Sequence, residues 1–209
     1  MSLLLVNFLL FAADHVLHLP FVSRTLYLHH AHPHWWQFVT SAFCHANWEH
    51  LSGNAFMLLV FGKAVEQEEG ALGVWASYLF CGLGASVASY LLLPATSGGG
   101  LLGGGASVVS LGASGAVFGL FSISVLVKLS WDWRKLLESF ILGSFVLDKV
   151  WNEVTVTAGG AMAGGGSGVN HIAHLAGALC GVLLIAALAK LFPSSASASD
   201  ADKRDDKSR

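Results

Sequence analysis

Charge is what this chain has least of. Residues 71–93, 107–127 and 172–189 contain no Asp, Glu, Lys or Arg, and over all 209 residues charged side chains make up only 11%. Soluble domains carry about 25%, so this composition excludes an ordinary soluble enzyme, and no nucleic-acid partner is expected. Cysteine is scarce too: Cys44, Cys81 and Cys180 show no CxxC spacing. Neither a disulfide framework nor a zinc knuckle is therefore indicated, and the three are expected to be packing residues. The N-terminal run lacks a basic n-region and a clear small-residue cleavage site, which speaks against a cleavable signal peptide.

What is present is apolar surface, at 54% of residues, together with 24 glycines. A helix needs about 20 mostly apolar residues to cross a bilayer, and the three uncharged stretches meet that requirement. Residues 45–64, with Lys63 at the end, and 136–151, with Glu138 and Asp148 near the ends, add two more spans, because end charges snorkel to the interface. The run 1–13 makes a sixth, short unless it continues past Asp14 and His15 to Val22. The expected fold is all-α: one polytopic membrane domain of six transmembrane helices over residues 1–192, followed by a Ser-rich, mixed-charge, disordered tail over 193–209. Against that plan, nine of the Lys and Arg residues fall on the side of the C-terminus and only Arg24 and Lys149 on the other. The C-terminus is thus expected on the cytoplasm-like face.

All ten histidines sit on the Arg24 side or in the helix halves nearest it: His15, His18, His29, His30, His32, His34, His45, His50, His171 and His174. Metal binding is one reading of "LHHAHPHWW", although Pro33 breaks any helical register there and neither carboxylate nor cysteine is near. "HANWEH" approaches the zinc-protease pattern H-x-x-E-H but is one residue too long. The other reading is acid–base or hydrogen-bonding work inside the membrane. His50 and Asn54, four apart, share one helix face, either as functional groups or as hydrogen-bonding glue between helices.

"SLGASGAVFGL" places Ser114 just ahead of a small-residue stripe, Gly115 and Gly119, and the last span carries its own at Ala173, Gly177 and Gly181. Helices joined along such stripes approach closely, which would bring Ser114 to an imidazole at the mouth of the last span, His171 or His174. A serine hydroxyl needs such a base to act as a nucleophile. Gly112 and Gly115 keep bulk away from the attacking oxygen, and nearby N–H groups with His50 and Asn54 offer donors for an oxyanion. Alone, GxSG is also consistent with a packing serine, and it misses the G-x-S-x-G elbow.

Taken in order, "HANWEHLSGN", "FGKAVE" with Gly62 and Glu66, "GASGAVFGL" and "AHLAG" resemble the rhomboid family of intramembrane serine proteases, over about residues 35–181. The resemblance implies a Ser–His dyad with Ser114 as nucleophile and His174 as base. It assigns oxyanion stabilisation to His50 and Asn54 and structural motif positions to Gly112, Gly115, Gly177 and Glu66. It implies no cofactor and no metal, with membrane proteins bearing a transmembrane helix as substrates. His171 falls outside the motif, and the role of His45 is expected to be structural. No acidic residue is well placed to orient His174, which leaves ring stacking or a hydroxyl, with Tyr78 and Tyr90 as candidates.

Three features depart from the family pattern: Gln37 stands where an Arg is expected, Gly-rich insertions occupy 97–105 and 158–168, and the first span is short. Within the family the chain looks most like the plant and algal plastid members, which implies a plastid envelope membrane. A non-catalytic protein of the same fold that binds membrane clients is the alternative, and a His-based metal transporter a third.

Overall fold

The computed structural model describes residues 2–92, 96–97, 106–127 and 171–191. The first helix, α1, runs Ser2–Phe11 and continues through a π-helical turn, Ala12–Val16. Its one buried polar side chain, Asn7, is satisfied locally by donating to the Leu3 carbonyl at 2.7 Å. A short strand β1, Leu28–His29, and a single helical turn α2, Gln37–Thr40, lie in the connection to the next span.

Helix α3, Trp48–Met57, starts where it does because Asn47 caps it. The cap residue is extended, and its side-chain oxygen accepts the His50 N–H at 2.8 Å. Glu49 in the first turn adds a charge that complements the helix dipole. The chain passes through a π-helical turn, Leu58–Gly62, into α4, Lys63–Leu92. Gly70, at φ 74° and ψ 177°, interrupts that helix in a conformation open to glycine and strained for other residues. The spans expected at 45–64 and 71–93 divide at this point.

The span expected over 107–127 is helical only from Ser114 onward: α5 is Ser114–Val127. Two short strands precede it, β3 at Ala106–Ser107 and β4 at Val109–Ser110, and β2 at Thr96–Ser97 pairs antiparallel with β3. Strand β4 pairs antiparallel with β1, Leu28 opposite Ser110 and His29 opposite Val109. The last described helix, α6, is His171–Leu191. Among the described residues, Trp48–Leu92 and Ile172–Leu191 are long and apolar enough to cross a membrane, while Ser2–Val16 and Ser114–Val127 are shorter apolar helices. The fifth expected span, 136–151, lies outside the described residues, as do the second Gly-rich insertion, 158–168, the tail, 193–209, and most of the first insertion.

Helices α4, α5 and α6 pack most extensively on one another, and glycine sets how closely. A Cβ built on Gly177 would run into the Gly115 carbonyl oxygen, and one on Gly181 would lie 2.5 Å from that of Gly119. The backbones of α5 and α6 are thus in direct contact along the two stripes. Gly115 also faces Ala85, and Gly119 faces Cys81, both of α4, so the three helices meet at these glycines. Cys81 is buried in this packing and Cys180 lies against Gly84, so both cysteines fill space, as expected of them.

The loop before α3 is fastened by Gln37, which is almost completely buried. Its carboxamide oxygen accepts the N–H of His34 at 3.1 Å and, more weakly, that of His29 at 3.4 Å, while its NH2 donates to the Thr25 carbonyl at 3.3 Å. A neutral amide that both donates and accepts replaces the expected Arg, which can only donate. Removing it takes the acceptor from the part-buried His34 and His29 N–H groups and leaves the Thr25 carbonyl only the Trp36 indole N–H at 3.0 Å, at a cost of about 1 kcal/mol. Gln37→Ala is therefore expected to lower the thermal unfolding midpoint in detergent, and an unchanged midpoint would show that the loop is held by other contacts.

Candidate active site

Three separate stretches of sequence converge at the N-terminus of α5. Gly112 has φ +127°, a value that lets the chain turn from β4 into the helix. It also leaves room for His50: a Cβ there would stand 2.5 Å from the imidazole Cε1 and 2.8 Å from Nε2. The Gly112 N–H donates to the Ser41 carbonyl at 2.9 Å, which ties this turn to the residues before α3. Ser114 follows as the first residue of α5 and is half-buried. The N–H groups of a helix's first turn lack intrahelical acceptors and lie at the positive end of its dipole, so an anion forming at Ser114 would meet donors already in place.

His174 approaches from α6. Gly115 packs against the carbonyl of Ala173, so the glycine contact between the helices brings the residue after Ser114 beside the residue before His174. The His174 ring is buried and stacks on Phe118, with centroids 4.6 Å apart and planes 11° from parallel. Phe118 is one helical turn beyond Ser114 and shares its face of α5. The helix that carries the serine therefore also carries the ring on which the imidazole lies.

Of the two tyrosines considered as partners for His174, neither serves. Tyr78 is fully buried and donates its hydroxyl to the Ala42 carbonyl at 2.7 Å. Tyr90 faces His30 and Phe38 instead. The signal that would have found Phe118 is the i, i+4 relation to Ser114.

Asn54 lies one turn from His50 on α3 and is buried; it lines a small cleft with His45, Leu51 and Ala113, the residue before Ser114. His45 is buried, its ring edge-on to His50 at 5.2 Å, and its carbonyl meets His15 Nε2 at 2.8 Å. Glu66 lies elsewhere. It precedes Gly70, whereas Ala85, which meets Gly115, is in the far part of α4, and Glu66 lines a cleft with Ser2, Lys63 and Trp75. The structure thus groups Ser114, His174, His50, Asn54, Gly112, Gly115 and Gly177 and leaves Glu66 outside.

The His-rich loop does not converge on one point. His29 Nε2 meets the Ser23 carbonyl at 2.8 Å, His30 Nε2 meets Ser110 Oγ at 2.8 Å, and His34 stacks on Trp36. Among the described residues no three His, Cys, Asp or Glu side chains are grouped to hold a metal ion.

Comparison with known proteins bears on this arrangement. Residues 32–191 match the model of the Rhomboid domain. The chain is 52% identical over 205 residues to Rhomboid-like protein 11, chloroplastic, of Arabidopsis thaliana, which covers 96% of this chain and 69% of that protein. It is 28% identical over 153 residues to Rhomboid protease AarA of Providencia stuartii, covering 72% of this chain and 54% of AarA. With RHOMBOID-like protein 4 of Arabidopsis thaliana it shares 32% over 152 residues, 71% of this chain and 33% of that one. The chain thus spans about two thirds of the first relative, half of the second and a third of the third. A helical, membrane-compatible chain matched over most of its length by that domain leaves one assignment: it belongs to the rhomboid family.

Proposed function

We propose that this chain is an intramembrane serine endopeptidase that cleaves peptide bonds in or near the transmembrane segments of other membrane proteins. The observation that carries the reading is the α5–α6 contact, where backbone-to-backbone packing at Gly115 and Gly177 sets the N-terminus of α5 beside a histidine held flat against Phe118. Ser114 attacks the scissile carbonyl while His174 takes its proton and then gives it to the leaving amine. The N–H of Ser114, with His50 and Asn54, stabilises the oxyanion, and water hydrolyses the acyl-enzyme. These side chains and water suffice for the chemistry, with no cofactor.

Substrates are membrane proteins with a transmembrane helix, cut at small residues near a helix-weakening stretch, because an intact helix keeps its carbonyls hydrogen-bonded. A plastid membrane is the proposed location, given the identity to a relative named as chloroplastic. The client-binding alternative rests on Gln37 in place of an Arg and on the Gly-rich loops; Gln37 anchors its loop with its own hydrogen bonds, which weakens the first of these grounds.

The direct test is covalent labelling of the purified protein in liposomes by a fluorophosphonate, with cleavage of tagged single-pass substrates followed alongside. Labelling confined to Ser114, and a product absent with Ser114→Ala, are expected. Folded protein that neither labels nor cleaves across the panel would instead favour the client-binding reading.

The stack on Phe118 carries its own expectation. An aromatic pair is worth about 0.5–1.5 kcal/mol beyond its area, so Phe118→Ala should lower kcat roughly two- to ten-fold, while Phe118→Tyr, which keeps the ring, should stay near wild type. If the alanine variant turned over at the wild-type rate, the ring would not be positioning the base.

A further inference from the structure

His30 has no part in the chemistry above, yet it is almost fully buried. Its Nε2 meets Ser110 Oγ at 2.8 Å, its N–H donates to the Val108 carbonyl at 3.0 Å, and its ring faces Tyr90 at 5.8 Å. Ser110 Oγ in turn lies 2.8 Å from Ser89 Oγ on α4. Ser110 is two residues before Gly112 and four before Ser114, and it belongs to β4, which pairs with the strand leading into His30. One imidazole thus joins the loop before α3, the body of α4 and the turn that enters the candidate active site.

We propose that His30 is a positioning residue for the nucleophile: through Ser110 it fixes residues 108–112, and so the turn at Gly112 that presents Ser114 to His50 and to an incoming carbonyl. This rests on the function proposed above for Ser114. With Nε2–H donating to Ser110 Oγ, the Ser110 and Ser89 hydroxyls share the next hydrogen bond. That assignment uses the neutral ring. Burial lowers the pKa of His30, and Nδ1 has no hydrogen-bond partner among the described residues, so a second N–H would have nowhere to donate. Two strands of two residues each are too short to hold a register by themselves. A buried hydrogen bond at the end of the pairing supplies what their length does not.

The Gly112 amide, bonded to the Ser41 carbonyl, is the reporter. Hydrogen exchange in liposomes is to be measured on the full chain for wild type, His30→Ala, His30→Gln and Ser110→Ala, with cleavage kinetics of the same proteins. His30→Ala and Ser110→Ala are expected to speed exchange at Gly112 at least about ten-fold while α4 and α6 stay protected. They should lower kcat by roughly the same factor with KM nearly unchanged. His30→Gln, whose amide nitrogen can reach the same oxygen, should restore most of both.

Wild-type exchange at Gly112 in His30→Ala, or a Gln variant exchanging as fast as the Ala one, overturns the proposal. If His30→Ala fails to fold, Ser110→Ala decides by the same reading, since it removes the acceptor and little bulk. Should the wild type show no Ser114-dependent cleavage, the protease reading falls while the exchange result still decides whether His30 holds this turn.

Discussion

Replacing Ser114 or His174 by alanine is expected to lower peptide cleavage by at least about 10³-fold, and replacing both should cost no more than either alone. The reason lies in how the two are held. The hydroxyl of Ser114 gains nothing from the positive end of α5 until its proton is removed, because a neutral alcohol is a weak nucleophile. His174, locked against Phe118, has no reaction to assist without that hydroxyl. In the proposed mechanism each residue acts only through the other, so losing the second removes nothing further. What should survive in every variant is binding and the proposed oxyanion donors, His50 beside Gly112 and Asn54 on α3. Single-turnover cleavage of one transmembrane substrate by the four proteins in liposomes measures this. Two independent, multiplying losses would contradict a shared step, and full activity in His174→Ala would remove the base from the mechanism.

The parts of this site that could be read from the sequence are those written in local spacing. Gly115 and Gly119, and Gly177 and Gly181, repeat at four residues, and in both helices that period brings the backbone to the surface on one face. The contact between α5 and α6 follows those stripes. His50 and Asn54 share a face for the same reason. The start of α5 was not legible. Residues 107–113 are as apolar as the helix that follows, and nothing in their composition reports that Val109 and Ser110 pair with a strand some eighty residues earlier.

Two further features were missed for a related reason. Of the two ways open for orienting His174, ring stacking is the one the structure shows, but the ring is Phe118 on the serine's own helix, where the spacing alone pointed no more to it than to Tyr78 or Tyr90 of another span. Gln37 looked like a missing charge because a single position says nothing of its acceptors. Only the folded loop shows that the N–H groups of His29 and His34 and the carbonyl of Thr25 meet one amide. Local periodicity carries packing and spacing, while non-local pairing and the choice of partner appear only with the fold.

The same glycine contact makes the sharpest structural prediction. Gly177→Ala adds one methyl group, and on helix propensity alone it should stabilise α6 by about 1 kcal/mol. The methyl would fall on the carbonyl oxygen of Gly115, however, and a backbone atom within a helix cannot rotate aside as a side chain can. Helices α5 and α6 must move apart, and overpacking of this kind costs about 1–3 kcal/mol. The displacement acts at the contact of Gly115 with Ala173, the neighbours of Ser114 and His174, and in the proposed mechanism a misplacement of about 1 Å can cost about 10²-fold in rate. A variant that melts lower and loses most of its cleavage is therefore expected, with Gly177→Val worse on both counts. Gly84→Ala is the control: its methyl would meet only the side chain of Cys180, which can turn away, so it should lose much less. If Gly177→Ala melted and cleaved like wild type while Gly84→Ala did not, backbone contact between α5 and α6 would not be what sets the separation of nucleophile and base.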